Sequence, residues 1–172
     1  RREDGSFRSY DEMVEEGLPL LYSGSYGCVT KNEKGEIVPC VHTDANGQGM
    51  PYACYMYGLF MAEVDVDVST GKTWVSKMTL IDDVGVINNY GVVDGQMYGG
   101  LAQGIGLALQ EDFEDPAKYN NLITCGFPYI KDITDDMELI HMETPREFGP
   151  YGASGAGELP LTSPHAAIAN AI

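Results

Sequence analysis

Residues 62–81 read Ala62-Glu63-Val64-Asp65-Val66-Asp67-Val68-Ser69-Thr70-Gly71-Lys72-Thr73-Trp74-Val75-Ser76-Lys77-Met78-Thr79-Leu80-Ile81. Ala62, Val64, Val66 and Val68 alternate with Glu63, Asp65 and Asp67. A period of two puts one row toward a core and the other toward water. Ser69-Thr70-Gly71-Lys72 has turn composition. Residues 73–81 form the predicted return strand, with Trp74, Ser76, Met78 and Leu80 on one face and Val75, Lys77, Thr79 and Ile81 on the other. The β pattern extends back to Tyr52, so an antiparallel hairpin is the first fixed point of the fold.

Working outward, Asp94-Gly95-Gln96-Met97 opens an apolar helix predicted to run to about Phe113, with Asp94 as N-cap. Gly95 and Gly99, and Gly100 and Gly104, are four residues apart, with Gly106 beyond. Each glycine inside a helix costs roughly 1 kcal/mol relative to alanine. That cost implies either tight packing of helix on sheet or close approach of a ligand or another backbone. Residues 114–137 carry turn signals around one short predicted strand, 124–130, and 137–143 is another. Gly149 to Glu158 is a glycine-rich loop, and Ser163-Pro164 starts a last helix with Ser at the N-cap and Pro at N1. Residues 1–50 are polar and rich in Gly, Glu and Asp, which predicts short strands and long loops, with 18–22 packing on the rest. The expected class is α+β: an antiparallel-rich sheet with both helices packed on it, in one domain spanning 1–172.

The chain carries 26 acidic against 10 basic residues, a formal charge of −16. Such a surface repels nucleic acid and anionic membranes, and no apolar run approaches the ~20 residues that span a bilayer. The first residues hold neither an initiating Met nor a signal peptide, and the last seven stop inside an apolar helical pattern. Both ends read as cut, so the chain is expected to be a fragment of a longer protein. Cys28, Cys40, Cys54 and Cys125 form no C-x-x-C pair, which argues against a structural zinc or iron–sulfur site here. They fit reduced thiols in a cytoplasmic protein; two disulfides in a secreted one remain open.

The acidic motifs do not make calcium loops. Asp65-x-Asp67-x-Ser69 has its glycine one place late and Ser76 at the twelfth position; Asp44-x-Asn46-x-Gln48-Gly49 has Tyr55 where the bidentate Glu belongs. The 152–157 glycines lack the Gly-Lys-Ser/Thr of a Walker loop. His42, His141 and His165 show no pattern, and a surface or satisfied core histidine is the ordinary reading of each. Glu158 stands out among the carboxylates. It follows Gly155-Ala156-Gly157 and precedes Leu159-Pro160-Leu161. Small residues let a backbone approach a ligand, and an apolar flank would desolvate the carboxylate, as a general base requires. A solvated loop carboxylate is the alternative.

Residues 149–167, Gly-Pro-Tyr-Gly-Ala-Ser-Gly-Ala-Gly-Glu-Leu-Pro-Leu-Thr-Ser-Pro-His-Ala-Ala, resemble the G-P-F-G-A-S-G-x-G-E-x-P-L segment of the xanthine oxidase family of molybdenum hydroxylases, bacterial aldehyde oxidoreductases in particular. Asp83-Val84-Gly85-Val86-Ile87-Asn88, followed by Gly95-Gln96-Met97-Tyr98-Gly99-Gly100-Leu101-Ala102-Gln103-Gly104-Ile105-Gly106, resembles the family's D-V-G-x-x-I-N-P…G-Q-x-x-G-G-x-x-Q-G-x-G pattern. Residues 57–67 give a third match. The resemblance implies a C-terminal part of a molybdopterin-binding region, with the cofactor as a cytosine dinucleotide. It assigns Glu158 as catalytic base, beside Gly157 at the cofactor, and Gln96 as a hydrogen-bonding partner of the pterin. Asn88, Asn89 and Val92 would line the dinucleotide arm, where helix-start and loop N–H groups suit a pyrophosphate. One residue is missing between Gly85 and Asn88, and Asn89 replaces the family's proline. No protein ligand to the metal is implied. The implied activity is oxidation of an aldehyde to a carboxylic acid with oxygen from water, with electrons leaving through 2Fe-2S clusters elsewhere in the full protein. The expected partners are a small aldehyde, the remainder of its own polypeptide or large subunit, and further copies in a homo-oligomer. Hydroxylation of a purine or other N-heterocycle is the alternative within the family. A non-catalytic acidic binding domain is the rival outside it.

Overall fold

The hairpin forms where the alternation places it. In the computed structural model, which describes residues 6–21, 23–25 and 27–172, strand β3 (Tyr57–Asp67) pairs antiparallel with β4 (Lys72–Asp83). The connecting turn is closed by Gly71 N–H donating to the Asp67 carbonyl at 2.7 Å, with Gly71 at φ 73°. Asp67 Oδ1 accepts from the Ser69 hydroxyl and N–H, which hold its carboxyl down at about 2. The acidic residues read above as a poor calcium loop are therefore strand and turn residues.

The predicted faces of the return strand need correction. Glu63 pairs with Lys77 and Val64 with Val75, so Ser76 is an extra residue in β4. This β-bulge resets the alternation. Val75 joins Met78 and Leu80 in the core, and Trp74, predicted to share their face, lies 45% exposed. On β3 the inward row fades at the turn, where Val66 and Val68 are exposed.

The third strand, β5 (Met137–Met142), pairs with β4 in parallel, giving the order β3-β4-β5. A parallel neighbour needs a crossover connection, and helix α2 (Tyr90–Leu109) lies in it. The helix begins four residues before the predicted Asp94. Asn89 is the N-cap, and its side-chain oxygen accepts the Val92 N–H at 3.2 Å. Gly91 and the β-branched Val92-Val93 disguise this first turn in the sequence. Helix α3 (Pro164–Ala171) packs on β3 and α2. Ser163 precedes it as predicted, without a side-chain capping bond. The two helices cover one face of the sheet, and the core between them joins Met78 and Leu80 to Met97, Leu101, Ile105, Leu159 and Ile168. Each such fully buried side chain contributes roughly 1.5–3 kcal/mol.

The strand expected at 124–130 is absent. Asn121 Oδ1 accepts the N–H groups of Ile123 and Thr124, and Cys125 N–H donates to the Asn121 carbonyl, so the segment winds into turns instead. A short helix α1 (Tyr10–Glu15), capped by Ser9 and Glu12, and a two-stranded ribbon of β1 (Val29–Lys31) and β2 (Ile37–Pro39) precede the hairpin. Leu20 and Leu21, expected to pack on the rest, are exposed; Tyr22 of that segment lies outside the described residues. Cys28 Sγ and Cys40 Sγ lie 3.0 Å apart across the ribbon's end, and the hydrogen bond between the two thiols holds the proton on Cys40, pushing it up to about 11. None of the cysteines is bridged. Among the described residues no helix is long and apolar enough to cross a membrane.

Candidate functional site

The glycine-rich loop is fastened to the segment that leads into α2. Val86 N–H and Arg146 N–H donate to the Gly152 carbonyl at 3.0 and 2.9 Å, and Ser154 N–H donates to the Val84 carbonyl at 2.8 Å. Gly85, at φ 74°, allows this approach, since a Cβ there would stand 2.4 Å from the Gly152 oxygen. Arg146 braces the junction. Its guanidinium donates to the carbonyls of Tyr55, Thr144 and Asp83 and pairs with the Asp83 carboxylate at 2.9 Å. Half-buried in this net, the Asp83 carboxyl is held below its ordinary value; burial opposes the shift, and hydrogen bonds from Thr144 and Gly85 and the charge of Arg146 outweigh it.

Two depressions result, one at each edge of the start of α2. The first, of about 220 Å³, is lined by Gly95, Gln96, Gly99, Gly100, Gln103 and Gly157. Gly157 lies so near the helix that an added Cβ would stand 3.1 Å from Gln96 Oε1. The second, of about 190 Å³, lies between 84–93 and 153–156 and is lined by Asn88, Asn89 and Val92 among mostly aliphatic side chains. The structure thus brings Gln96 and Gly157 together in one depression and Asn88, Asn89 and Val92 together in the other. A larger cavity of about 460 Å³, beside Lys72, Trp74 and Lys131, holds none of the predicted residues.

Glu158 follows Gly157 directly and its side chain is exposed. The apolar flank is present but turns away: Leu159 and Pro160 are buried in the core. They anchor the backbone beside Glu158 rather than enclose its carboxylate, which corrects the expectation of desolvation by the flank. Val92 lines the second depression, but its N–H is taken by the Asn89 side chain, which leaves those of Tyr90 and Gly91 among the first-turn groups without an intrahelical partner.

Sequence reading left Gln103 unassigned. It lies seven residues after Gln96, two turns along the same face, and lines the same depression. That spacing was a usable signal. The donor set fits a flat, heteroatom-rich group. Each glutamine amide presents both a donor and an acceptor, and Gly95 and Gly99 leave open space in which a Cβ would meet nothing within 4 Å. The aliphatic depression ends at a helix start, where an anionic group is favoured.

Comparison with known proteins gives the family. The family model of the molybdopterin cofactor-binding domain matches residues 1–134. The aldehyde oxidoreductase of Megalodesulfovibrio gigas is 52% identical over 169 residues, covering 98% of this chain and 18% of the relative. The nicotine 6-hydroxylase large subunit of Paenarthrobacter nicotinovorans is 39% identical over 115 residues, covering 63% of this chain and 14% of the relative. The crystal structure of the aldehyde oxidoreductase from Desulfovibrio desulfuricans ATCC 27774 superposes with a TM-score of 0.77 at 52% identity, over 98% of this chain and 17% of that one. The chain spans less than a fifth of the length of these relatives. It belongs to the molybdopterin-binding domain family of the molybdenum hydroxylases, the xanthine oxidase family.

Proposed function

We propose that residues 1–172 form a C-terminal part of the cofactor-binding domain of an aldehyde oxidoreductase, which converts an aldehyde and water to a carboxylic acid with release of two electrons and two protons. The observation that carries the reading is the approach of Gly157 to Gln96, which sets the segment bearing Glu158 against the glutamine face of α2. The 52% identity to a named aldehyde oxidoreductase, against 39% to a nicotine 6-hydroxylase, favours an aldehyde over an N-heterocycle.

When bound, the molybdenum–pterin group supplies two-electron redox chemistry. This chain's residues do the rest. Gln96, assisted by Gln103, would hold the pterin edge through amide hydrogen bonds. Asn88, Asn89 and the turn at Val92 would line the arm beyond it, read as a cytosine dinucleotide. Glu158 would take a proton from the attacking oxygen, and the remainder of the polypeptide would close over its exposed carboxylate. The 2Fe-2S clusters that accept the electrons, the cytoplasmic setting and assembly into a homo-oligomer belong to the same reading of the intact enzyme.

Glu158→Gln tests it. The amide keeps the shape but cannot accept the proton, and loss of a general base lowers turnover by about 10²–10⁴-fold. Turnover is normalised to bound molybdenum in the full-length enzyme, whose metal content should stay near wild type. A variant within a few-fold of wild type on that basis removes Glu158 from the chemistry.

A further inference from the structure

The core-facing rows of β4 and β5 end in charge. Met78 and Leu80 face α2, and the next residue of that row is Asp82, only 1% exposed. In the parallel register Met78 stands beside Met137, Leu80 beside Leu139 and Asp82 beside His141. His141 Nδ1 lies 2.7 Å from Asp82 Oδ2, and its Nε2 lies 2.8 Å from Oδ1 of Asp94 on the second turn of α2. Burial pushes the Asp82 carboxyl up, against the pull of the facing imidazole; while both carboxylates are ionised they only accept, so each ring nitrogen facing one carries a hydrogen. The other oxygen of Asp82, Oδ1, is buried without a hydrogen-bond partner among the described residues. A buried carboxylate so placed is strongly destabilising unless a cation stays beside it.

We propose that His141 is a positioning residue: with both ring N–H groups bridging Asp82 and Asp94, it seats the second turn of α2 on the sheet and so fixes where Gln96 points. The inference rests on the cofactor reading for what Gln96 then does, but the bridge stands on geometry alone. Asp94 is two residues before Gln96 and on the same turn, so freeing Asp94 loosens the turn that presents the glutamine.

The charges around the bridge set its pH dependence. From β4 come Asp82 and, behind it, Asp83 paired with Arg146; from the residue just after β5 comes Glu143. From α2 come Asp94 and Tyr90, whose ring stands edge-on to His141 at 6.0 Å and whose hydroxyl donates to Glu143. Burial pushes the imidazole down, and the hydrogen bond to Asp94 with the charge and hydrogen bond of Asp82 outweigh it, leaving it above the ordinary 6.5. A raised histidine contributes stability that is complete below its unfolded value and is lost as pH rises through the folded one. The seat of α2 is therefore firm on the acid side and loosens toward alkaline pH.

The test uses Asp94→Asn in the full-length holoenzyme. The position is partly exposed, and the amide keeps the shape and an acceptor oxygen while removing the charge. Hydrogen–deuterium exchange of peptides covering residues 90–99 is followed from about pH 6 to about pH 9, corrected for intrinsic rates. In wild type, protection should fall as pH rises through the imidazole's raised value. In Asp94→Asn the fall should come at lower pH, exchange near neutrality should be about tenfold faster, and molybdenum per chain should drop. Identical exchange in the two proteins across the range overturns the bridge. Faster exchange with full molybdenum content overturns the positioning role if Gln96→Ala does lose metal. If Gln96→Ala loses none either, the cofactor reading fails and the anchor survives.

Discussion

Two sets of glycines share helix α2 and face different worlds. A Cβ on Gly100 would stand 2.3 Å from Pro160 Cγ, one on Gly104 2.1 Å from Pro164 Cγ, and one on Gly106 2.6 Å from Pro128 Cδ. Proline rings cannot swing aside, so these three positions are glycine because three prolines occupy the space. At Gly95 and Gly99 a Cβ would meet nothing within 4 Å. Nothing in the described chain explains those two, although each carries the same conformational cost as the others. The first set holds the helix to the turn at Leu159–Leu161, to α3 and to the turns that carry Pro128. The second lies beside Gln96, Gln103 and Gly157 in an open depression. The packing reading of the helical glycines is thus realised at Gly100, Gly104 and Gly106, while Gly95 and Gly99 leave open the space that a ligand would need.

The contrast is sharpest under substitution, and the largest effect belongs to the packed side. Gly104→Ala forces a methyl into a fully buried proline. Overpacking of this kind costs about 1–3 kcal/mol, and the higher helix propensity of alanine returns at most about 1 kcal/mol. Thermal unfolding of the full-length protein should show a clear net loss. An unchanged midpoint would mean that α2 and α3 can move apart freely, and the distinction between the two glycine sets would dissolve.

Much of this architecture is written locally. The β3–β4 hairpin follows from alternation over 62–81, and the existence of α2 follows from a long apolar stretch opening on Asp94 and Gln96. The proposed cofactor-site residues rest on motifs contiguous enough to carry a resemblance. What escaped depends on partners far away or on local exceptions. The bulge at Ser76 inverts half of β4, because one extra residue flips every later side chain. The helix start at Asn89 hid behind Gly91 and Val92-Val93, which read as non-helical until the capping bond is seen. The Asp82–His141–Asp94 bridge joins residues 59 and 47 apart in sequence, and only the parallel register of β4 and β5 brings them together. One clue was present: Asp82 continues the row of Met78 and Leu80, a charge where alternation demands a core residue.

On the open side the next effect is on binding rather than folding. Under the proposed reading, Gln96→Ala removes one amide hydrogen bond to the cofactor, about 0.5–1.5 kcal/mol net. The side chain is exposed in this chain, so thermal stability without cofactor should hold. Molybdenum and pterin per chain, measured after extended dialysis of the full-length enzyme, should fall below wild type. Equal retention would reduce Gln96 to an ordinary residue of the helix surface and leave the open glycines without a ligand to explain them.

The smallest effect separates the two sets best, because its two parts have opposite signs. Gly99→Ala adds a methyl where the described chain leaves space, and it removes the entropy that a helical glycine loses on folding. Stability of the cofactor-free protein should therefore rise, by about 0.5–1 kcal/mol. If the depression is a cradle, the same methyl stands where the cofactor must approach the helix backbone, and cofactor retention should fall. A glycine retained for packing gives the reverse on the first measurement, and an idle glycine gives no change on the second. Only a position kept open for a ligand predicts a more stable apoprotein that loads less molybdenum. A Gly99→Ala enzyme that is both more stable and fully loaded would show that this face of α2 is merely exposed, and the case for the site would then rest on Gln96 and Glu158 alone.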